Sequence, residues 1–560
     1  MFTVILNSLL ISLLFTPFGF ILTNKNKKNL DNYSAQLLYG LIILTFIALF
    51  LNFFFPLGKN LNTLLLIIPL IVLIKKKEIY FNLHFLIFLL LSTVLISLLI
   101  LESDVYRPDA GLYHLPYIKI LNDEKIIFGL SNFHFRYAHI SIMQYLAAIS
   151  NNLIFGNNGI VFAQALVASA VIINFAYKIY IFNKNKEYSF YFFYLIGSLI
   201  FISYKMNRYG EYGNDAPSHF LLFFLISEIL SLKEYKAKDV CNNFILIAFI
   251  IFNKLTLLIC LFLGLISLNK NNVIEIFKLK RFYFLIFFTF LWFIKNIIVS
   301  GCFLYPVKSL CYENLLWSNI KEVRSVSTEN EAWAKGWPDY VKIQKQNNKE
   351  VIKKKEFSKN FYWLPYWSNE HLNKIIKILL PYLLFLLLLI IFLKIYSNSK
   401  NKIFFRKDNL YIIFIMFLAS IFWFIKVPMY RYGYSYFISL ISLLFAYTCV
   451  HFSDFKNNTN KFFNYLLIFC ISIIVTKNIL RIVKTDNNYN NYPWPKFYAM
   501  DEKNIEHGVN EIILNGKKFY KPKKYCMFSD SPCGNYGISK NLDLISKKGY
   551  YIIYSNSNYN

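Results

Sequence analysis

The chain alternates long apolar runs with short polar loops from its first residues to about residue 481. Thirteen apolar runs stand out: 2–22, 35–56, 61–74, 82–101, 159–182, 188–204, 216–232, 243–267, 282–300, 373–395, 410–427, 432–453 and 463–481. A helix needs about 20 mostly apolar residues to cross a bilayer. Leu, Ile and Phe fill these runs without the alternation that is typical of barrel strands. The pattern therefore predicts an all-α polytopic integral membrane protein.

Lysine marks the short loops on one side of the predicted bundle. The basic stretches are 24–29, 75–78, 183–187, 233–238, 278–281 and 399–407. Cytoplasmic loops carry the excess of Lys and Arg, so these stretches are expected inside. Alternation then puts 102–158, 205–215, 301–372, 426–432 and the tail from 482 outside. For both 233–238 and 278–281 to lie inside, 243–267 must form a hairpin that turns near Asn253 and Lys254. This reading gives about 14 crossings, with both termini outside.

These predictions divide the chain into six parts. They are N-terminal transmembrane helices (1–101), an extracytoplasmic loop with interfacial helices (102–158), a transmembrane core (159–300), a second extracytoplasmic loop (301–372), C-terminal transmembrane helices (373–481) and a small extracytoplasmic cap (482–560). Residues 138–156 are expected to form an interfacial helix instead of a span. Residues 335–357 read as an amphipathic helix on the headgroups, and the aromatic residues around it could instead stack on sugar rings.

The apolar composition determines how the formal net charge is interpreted. The 560 residues are 56% hydrophobic and 16% charged, against about 25% charged residues in soluble domains, which excludes an ordinary soluble protein. A formal charge of +29, from 60 Lys and Arg against 31 Asp and Glu, would indicate a nucleic-acid partner in a soluble chain. Here much of it is lysine in short loops, and only eight residues are arginine. The charge therefore reports topology, and the expected partner is the lipid bilayer, not nucleic acid.

The loop at 102–139 holds the densest set of residues that could do chemistry. Three of the eight histidines lie in it, together with Asp104 and Asp109. On a helix after Pro108, Asp109 and Tyr113 would share a face as an i, i+4 pair. A carboxylate at the membrane surface could act as a general base toward a hydroxyl, with His114 orienting or replacing it. The ordinary alternative is a solvated loop with surface charges.

Three of the few arginines stand beside aromatic residues in predicted outer segments, namely Arg136, Arg208 and Arg431. Where lysine is the default cation, such arginines indicate sites that need planar, multidentate donors, for example a phosphate clamp. Snorkelling arginines beside belt tyrosines are the alternative. Asp215 follows Arg208 in the same outer segment, and Lys254 interrupts an apolar run, where a charge is costly. Lys295 is a further candidate for binding an anionic group.

Two cysteine pairs lie close together in the predicted outer segments. Cys302 and Cys311 share one loop, and Cys526 and Cys533 share CMFSDSPC in the tail. Each pair could form a disulfide in an oxidising compartment or remain as thiols. No Cys/His spacing suggests zinc, and the sequence has no P-loop, GxGxxG, HExxH or GxSxG motif. No cofactor is therefore expected, and a divalent metal is left open.

Several motifs carry a family resemblance. YRPDAGLYHLPYIKIL, GLSNFHFRY, GNDAP, NKLT, WFIKNIIVSGCFLYP and the tail motif CMFSDSPCGNYG resemble a family of mostly uncharacterised bacterial multi-pass membrane proteins. This resemblance covers most of 100–310 and the tail. More distantly, the layout is similar to that of GT-C-fold glycosyltransferases, which use polyprenyl-phosphate sugar donors and a carboxylate in an early outer loop. The chain differs from them in having four predicted spans before that loop.

The resemblance implies a function and a set of site residues. It implies a GT-C-like helical bundle that transfers a sugar from a polyprenyl-phosphate-linked donor to a glycan or lipid acceptor, at the outer face of a bacterial inner (plasma) membrane. The early-loop carboxylate corresponds to Asp109, with Asp104 as its competitor, and Lys254 matches a basic residue that would face the lipid phosphate. The other class that fits the residues is a non-enzymatic flippase or transporter of lipid-linked sugars.

Overall fold

The structure, a computed structural model, describes residues 1–23, 27–103, 109–139, 141–206, 212–213, 215–397, 406–451, 459–484, 493–495, 508–534 and 542–555. Helices make up most of these residues. The chain is an all-α polytopic integral membrane protein, to which the tail adds four short strands.

The α-helices are best given in chain order. The first half holds α1 (Phe2–Phe15), α2 (Phe20–Thr23), α3 (Leu30–Asn52), α4 (Lys59–Leu65), α5 (Ile67–Lys75), α6 (Lys77–Tyr80), α7 (Leu83–Ile100), α8 (Leu115–Asp123), α9 (Leu130–Phe133), α10 (Met143–Ser150), α11 (Phe162–Lys184), α12 (Phe190–Lys205), α13 (Asp215–Ser231) and α14 (Ala237–Asn253). The second half holds α15 (Leu261–Ile266), α16 (Lys270–Ile276), α17 (Lys280–Ser300), α18 (Ile320–Ala334), α19 (Trp337–Gln346), α20 (Lys354–Ser358), α21 (Leu364–Trp367), α22 (Asn373–Tyr396), α23 (Lys407–Lys426), α24 (Tyr430–Val450) and α25 (Thr459–Lys484).

Nine helical segments in the described part of the chain are long and apolar enough to cross a membrane, or ten if a segment bent at 267–269 counts as one span. Each of the nine corresponds to a predicted run, but about 14 crossings were expected. The structure has fewer long helices than expected because several of the predicted runs form shorter helices. The run 61–74 is broken between α4 and α5, whereas α12, α13 and α14 have only 16 or 17 residues. These three helices are mostly buried inside the bundle.

The chain reverses direction after α14, where the sequence predicted a hairpin. Lys254 has an extended backbone that ends the helix. Gly264 then packs against Phe244 and Ile247 of α14, and the Asn272 side chain donates to the Tyr235 carbonyl at 3.1 Å. Residues beyond the break therefore run back along the preceding helix, and Lys254 lies at the tip.

Loops that are distant in sequence meet at one end of the bundle, here called the loop face, which carries 109–139, 301–363 and the described part of the tail. Asn132 donates to the Trp317 carbonyl at 2.8 Å, and Tyr137 donates to the Cys533 carbonyl. In two elements of the loop face the structure differs from the sequence prediction. Among the described residues of 138–156, the α-helix is limited to α10, and all eight of its residues are buried in the protein. The helix expected at 335–357 is split into α19 and α20, and Asn348 between them has φ +54°.

Two β-hairpins in the tail pack on the loop face. Strands β1 (Val509–Leu514) and β2 (Lys517–Pro522) pair antiparallel, as do β3 (Leu542–Lys547) and β4 (Tyr550–Ser555). Phe128 exchanges backbone hydrogen bonds of 2.9 Å with Tyr551 and Ile553 of β4. Disulfides join Cys302 to Cys311 and Cys526 to Cys533. The tail is thus part of the folded unit.

Candidate functional site

Five charged residues from separate elements meet at the loop face and form what we call the charged cluster. Asp109 precedes a π-helix (Ala110–His114), Arg136 lies in a 3₁₀ helix (Phe135–His139), Asp215 begins α13, Lys254 follows α14 and Arg431 lies in the first turn of α24. Four of the five thus lie at a helix end. Two carboxylates against three cations leave one net positive charge.

Asp109 contacts both arginines of the cluster. Its Oδ2 accepts a hydrogen bond from Nη1 of Arg431 at 3.2 Å, and its Oδ1 lies 3.9 Å from Nη1 of Arg136. These side chains keep access to solvent, with exposed fractions of 20% for Asp109, 33% for Arg431 and 38% for Arg136. Both the carboxylate and the guanidinium groups can therefore be reached by a ligand.

Lys254 and Asp215 form the less accessible half of the cluster. The ammonium group donates to Oδ1 of Asp215, and only 6% of the lysine side chain is exposed. It also donates to the Arg431 carbonyl at 3.2 Å and lies 4.5 Å from the centre of the Tyr432 ring. The family resemblance implies that Lys254 faces a lipid phosphate, and in this structure its ammonium group pairs with Asp215. The same group connects Asp215 to the backbone of Arg431.

The turn after Asp109 is a π-helix, wider than the α-helix the sequence predicted. Leu115 N–H donates to the carbonyl of Ala110, five residues earlier. Pro116 has no N–H to continue an α-helical ladder. Single π-turns in helices often occur at functional sites. The turn brings Tyr113 under Arg136, whose guanidinium carbon is 5.0 Å from the ring centre.

His114 is buried beside the cluster and not exposed on it. Its Nδ1 lies 2.7 Å from Nε2 of Gln144 on α10. Burial is the main reason that the pKa of His114 falls to about 4, with smaller opposing effects of nearby carboxylates and arginines. At neutral pH the ring is therefore uncharged. Gln144 has no distinguishing sequence signal and was not predicted.

Aromatic residues surround Arg431 on the loop face. Its guanidinium carbon lies 5.2 Å from the ring centre of Tyr432 and 6.0 Å from that of Trp333. Trp333 is at the end of α18 and 44% exposed. Trp333 is one of the aromatic residues around 335–357 for which the sequence analysis left open stacking on sugar rings, and it contacts the cluster through Arg431.

The remaining sequence-predicted residues divide into three groups. Asp104 and Arg208 lie outside the described residues. Lys295 is buried in α17, with its ammonium 4.3 Å from the Trp292 ring centre and 3.3 Å from Oδ1 of Asn296. The cysteine pairs are structural, and the Cys526–Cys533 loop packs next to the π-helix, since Met527 N–H donates to the Gly111 carbonyl at 3.0 Å. Among described residues, no group of three or more His, Cys, Asp or Glu is arranged to hold a metal.

Comparison with known families places the chain in one of them. The model of a family described as "Domain of unknown function (DUF8201)" matches residues 1–438, which is 438 of 560 residues. The chain belongs to the DUF8201 family. All five residues of the charged cluster lie within the DUF8201 match, whereas both tail hairpins lie beyond it. No curated protein and no solved structure matches the chain.

Proposed function

We propose that this protein is a GT-C-like membrane glycosyltransferase of a bacterial cell envelope. It transfers a sugar from a polyprenyl-phosphate donor to a glycan or lipid acceptor at the outer face of the plasma membrane. The observation that carries the proposal is the charged cluster, in which a solvent-accessible carboxylate lies between two accessible arginines at the end of a bundle of apolar helices.

The arginines are suited to the donor phosphate. Arginine presents a planar fork of N–H donors that matches phosphate oxygens. Nε of Arg431 is buried and has no hydrogen-bond acceptor among the described residues; its nearest carboxylate oxygen, Oδ2 of Asp215, is 3.9 Å away. A phosphate oxygen in the cluster would supply that acceptor. The net positive charge of the cluster also favours an anion.

In this proposal Asp109 acts as the base. Its carboxylate takes the proton of an acceptor hydroxyl, the acceptor oxygen bonds to the anomeric carbon, and the bond from that carbon to the donor phosphate oxygen breaks. Polyprenyl phosphate leaves with the electron pair, and Arg136 and Arg431 stabilise its charge. Both guanidinium groups contact Asp109 in the cluster. The donor phosphate has a second effect, since it competes for these arginines and frees the carboxylate to contact the acceptor hydroxyl.

The test uses purified protein in lipid vesicles with a panel of polyprenyl-phosphate-linked sugars and envelope glycan acceptors. Asp109→Asn should lower transfer by at least about 100-fold while donor binding persists. Arg431→Lys should weaken donor binding, because an ammonium cannot replace the bidentate fork. Asp408→Asn is the matched control. Asp408 also pairs with an arginine, Arg406 at 2.7 Å, but lies outside the cluster.

Two outcomes would overturn the proposal. One is transfer by Asp109→Asn at the rate of the unmodified protein. The other is movement of the lipid-linked sugar across the bilayer by the unmodified protein with no transfer product, which would establish the flippase alternative.

A further inference from the structure

A second feature of the loop face is a cavity of about 580 Å³, within the range of about 300–1,000 Å³ that is usual for small-ligand sites. Its walls come from 58–59, α8, the loop 151–157, the start of β1 and the disulfide-closed loop 526–533. It lies outside the charged cluster, and none of its lining residues was given a role in the transfer chemistry above.

The cavity wall is polar but balanced in charge. It contains two lysines and two aspartates, and Lys119 pairs with Asp123 at 3.0 Å. The other polar groups are neutral: three asparagines, at 122, 151 and 157, and Ser529. Phe528 contributes the apolar ring. Such a wall does not select for an anion or a cation, nor for a purely apolar ligand.

Two of the amide groups that line the cavity, those of Asn122 and Asn151, are held by hydrogen bonds. Asn122 donates to the carbonyls of Leu57 and Ala148 at 2.8 and 3.0 Å and accepts from Nδ2 of Asn151 at 2.9 Å. Asn151 is only 4% exposed, yet its Oδ1 accepts no hydrogen bond from the described residues. Oγ of Ser529 is likewise buried and unpaired within the described part of the chain. Unpaired buried acceptors are costly unless a ligand or water satisfies them.

We infer that this cavity binds a segment of an uncharged glycan. Sugar hydroxyls both donate and accept, so they match amide, hydroxyl and carboxylate groups, and the C–H face of a sugar ring packs on an aromatic side chain such as Phe528. The loop 526–533 also contacts the charged cluster's π-helix through Met527 and Gly111. The further assignment of this glycan as the acceptor rests on the proposed transferase function, whereas its binding does not.

The experiment measures binding of fluorescent neutral tetrasaccharides, made of hexose or N-acetylhexosamine, to the full-length protein in nanodiscs. One arm supplies them in solution and a second as lipid-linked headgroups, which separates a free glycan from a glycolipid. Asn157→Trp fills the cavity and should weaken binding by at least about tenfold. Asn347→Trp makes the same change at an exposed position on the loop face and should leave binding unchanged. Ser529→Leu changes a lining residue from a different part of the chain, and thermal unfolding checks that each variant is folded.

The inference fails if no neutral tetrasaccharide binds in either arm, or if folded Asn157→Trp and Ser529→Leu bind as the unmodified protein does. It also fails if an anionic glycan binds instead and depends on Lys59 and Lys119. Binding is repeated in Asp109→Asn, whose cavity is intact. Retained glycan binding together with normal sugar transfer by that variant would support the cavity and overturn the proposed function, so the two failures are distinct.

Discussion

Lys254 donates a hydrogen bond to Asp215 where the tip of the α14 hairpin meets the start of α13, and neither side chain is more than 16% exposed. A lysine inside an apolar run is therefore explained by a partner that is 39 residues away in sequence. The pair also ties the hairpin to Arg431, because the same ammonium group donates to the Arg431 carbonyl.

Removing one partner of this pair should lower the free energy of unfolding more than removing both. Lys254→Met leaves Asp215 as a poorly compensated buried carboxylate, and we expect it to lower the free energy of unfolding by about 3 kcal/mol. The double variant Lys254→Met, Asp215→Asn should recover at least about half of that loss. Thermal unfolding in detergent measures both effects.

The control for this prediction is Lys518→Met. Lys518 pairs with Glu511 in an exposed hairpin, where water screens the two charges, so its loss should leave the melting temperature almost unchanged. If the double variant were no more stable than Lys254→Met, the ion pair would not be the source of the loss.

Acid should destabilise the fold through buried histidines. Burial lowers the pKa of His114 to about 4 and that of His134 to about 3, whereas an unfolded histidine titrates near about 6.5. The unfolded chain therefore binds more protons between these values. The stability from each neutral ring is complete above about pH 6.5 and is lost progressively as the pH falls, by about 2 kcal/mol per histidine at pH 5.

The variant His114→Gln isolates one of these contributions. The charged groups facing His114 are Asp109, Asp215, Arg136 and Arg431, and all of them remain in this variant. The difference in melting temperature between pH 7.5 and pH 5 should become smaller in His114→Gln than in the unmodified protein. An unchanged difference would mean that His114 binds a proton at pH 5 in the folded protein as readily as in the unfolded chain.

Hydropathy and lysine placement were enough to predict the membrane class and the segments that became the nine long helices. They also predicted the reversal at Lys254, because a charge in an apolar run needs a polar surrounding. They could not predict that Asp109 and Arg431 touch, across 322 residues. Which helix ends meet depends on how the helices pack, and periodicity does not carry that information.

Local chemistry could have predicted more of the tail. Asn515 and Gly516, like Lys548 and Gly549, have positive φ and connect paired strands. Asn-Gly between alternating apolar residues is a strong hairpin signal. The split between α19 and α20 is harder to foresee, since several lysines there suit either a helix or a solvated loop. Gln144 and Trp333 reach the site only through tertiary packing.

Gly129 should be intolerant of any side chain. Its φ is +64°, and a Cβ would overlap the Ile553 carbonyl oxygen and lie 2.6 Å from Cβ of Trp317. Strain and overlap with backbone together should make Gly129→Ala destabilising by about 2–4 kcal/mol. The last strand should also detach, which limited proteolysis of the tail would detect.

Gly516→Ala provides the comparison, because Gly516 also has a positive φ, +83°, but a methyl group added there would meet no atom within 4 Å among the described residues. It should show only the conformational cost, about 1–2 kcal/mol, and keep β4 docked. Equal proteolysis of the tail in both variants would contradict the role assigned to the Ile553 contact.

Lys295 should reduce stability in the absence of a ligand. Its side chain is fully buried in α17, its ammonium lies beside Asn296 and Trp292, and the ion pairs found among the described residues do not include it. Replacing a buried charge with an apolar side chain of similar length is often stabilising, so Lys295→Met should raise the free energy of unfolding by about 1–2 kcal/mol. Lys426→Met, at the exposed end of α23, should leave it nearly unchanged.

The same unfolding measurement with added polyprenyl phosphate then decides between two roles for Lys295. If the lysine binds the phosphate, the ligand stabilises the unmodified protein more than Lys295→Met, and if it is only a packing residue, the two shifts are equal.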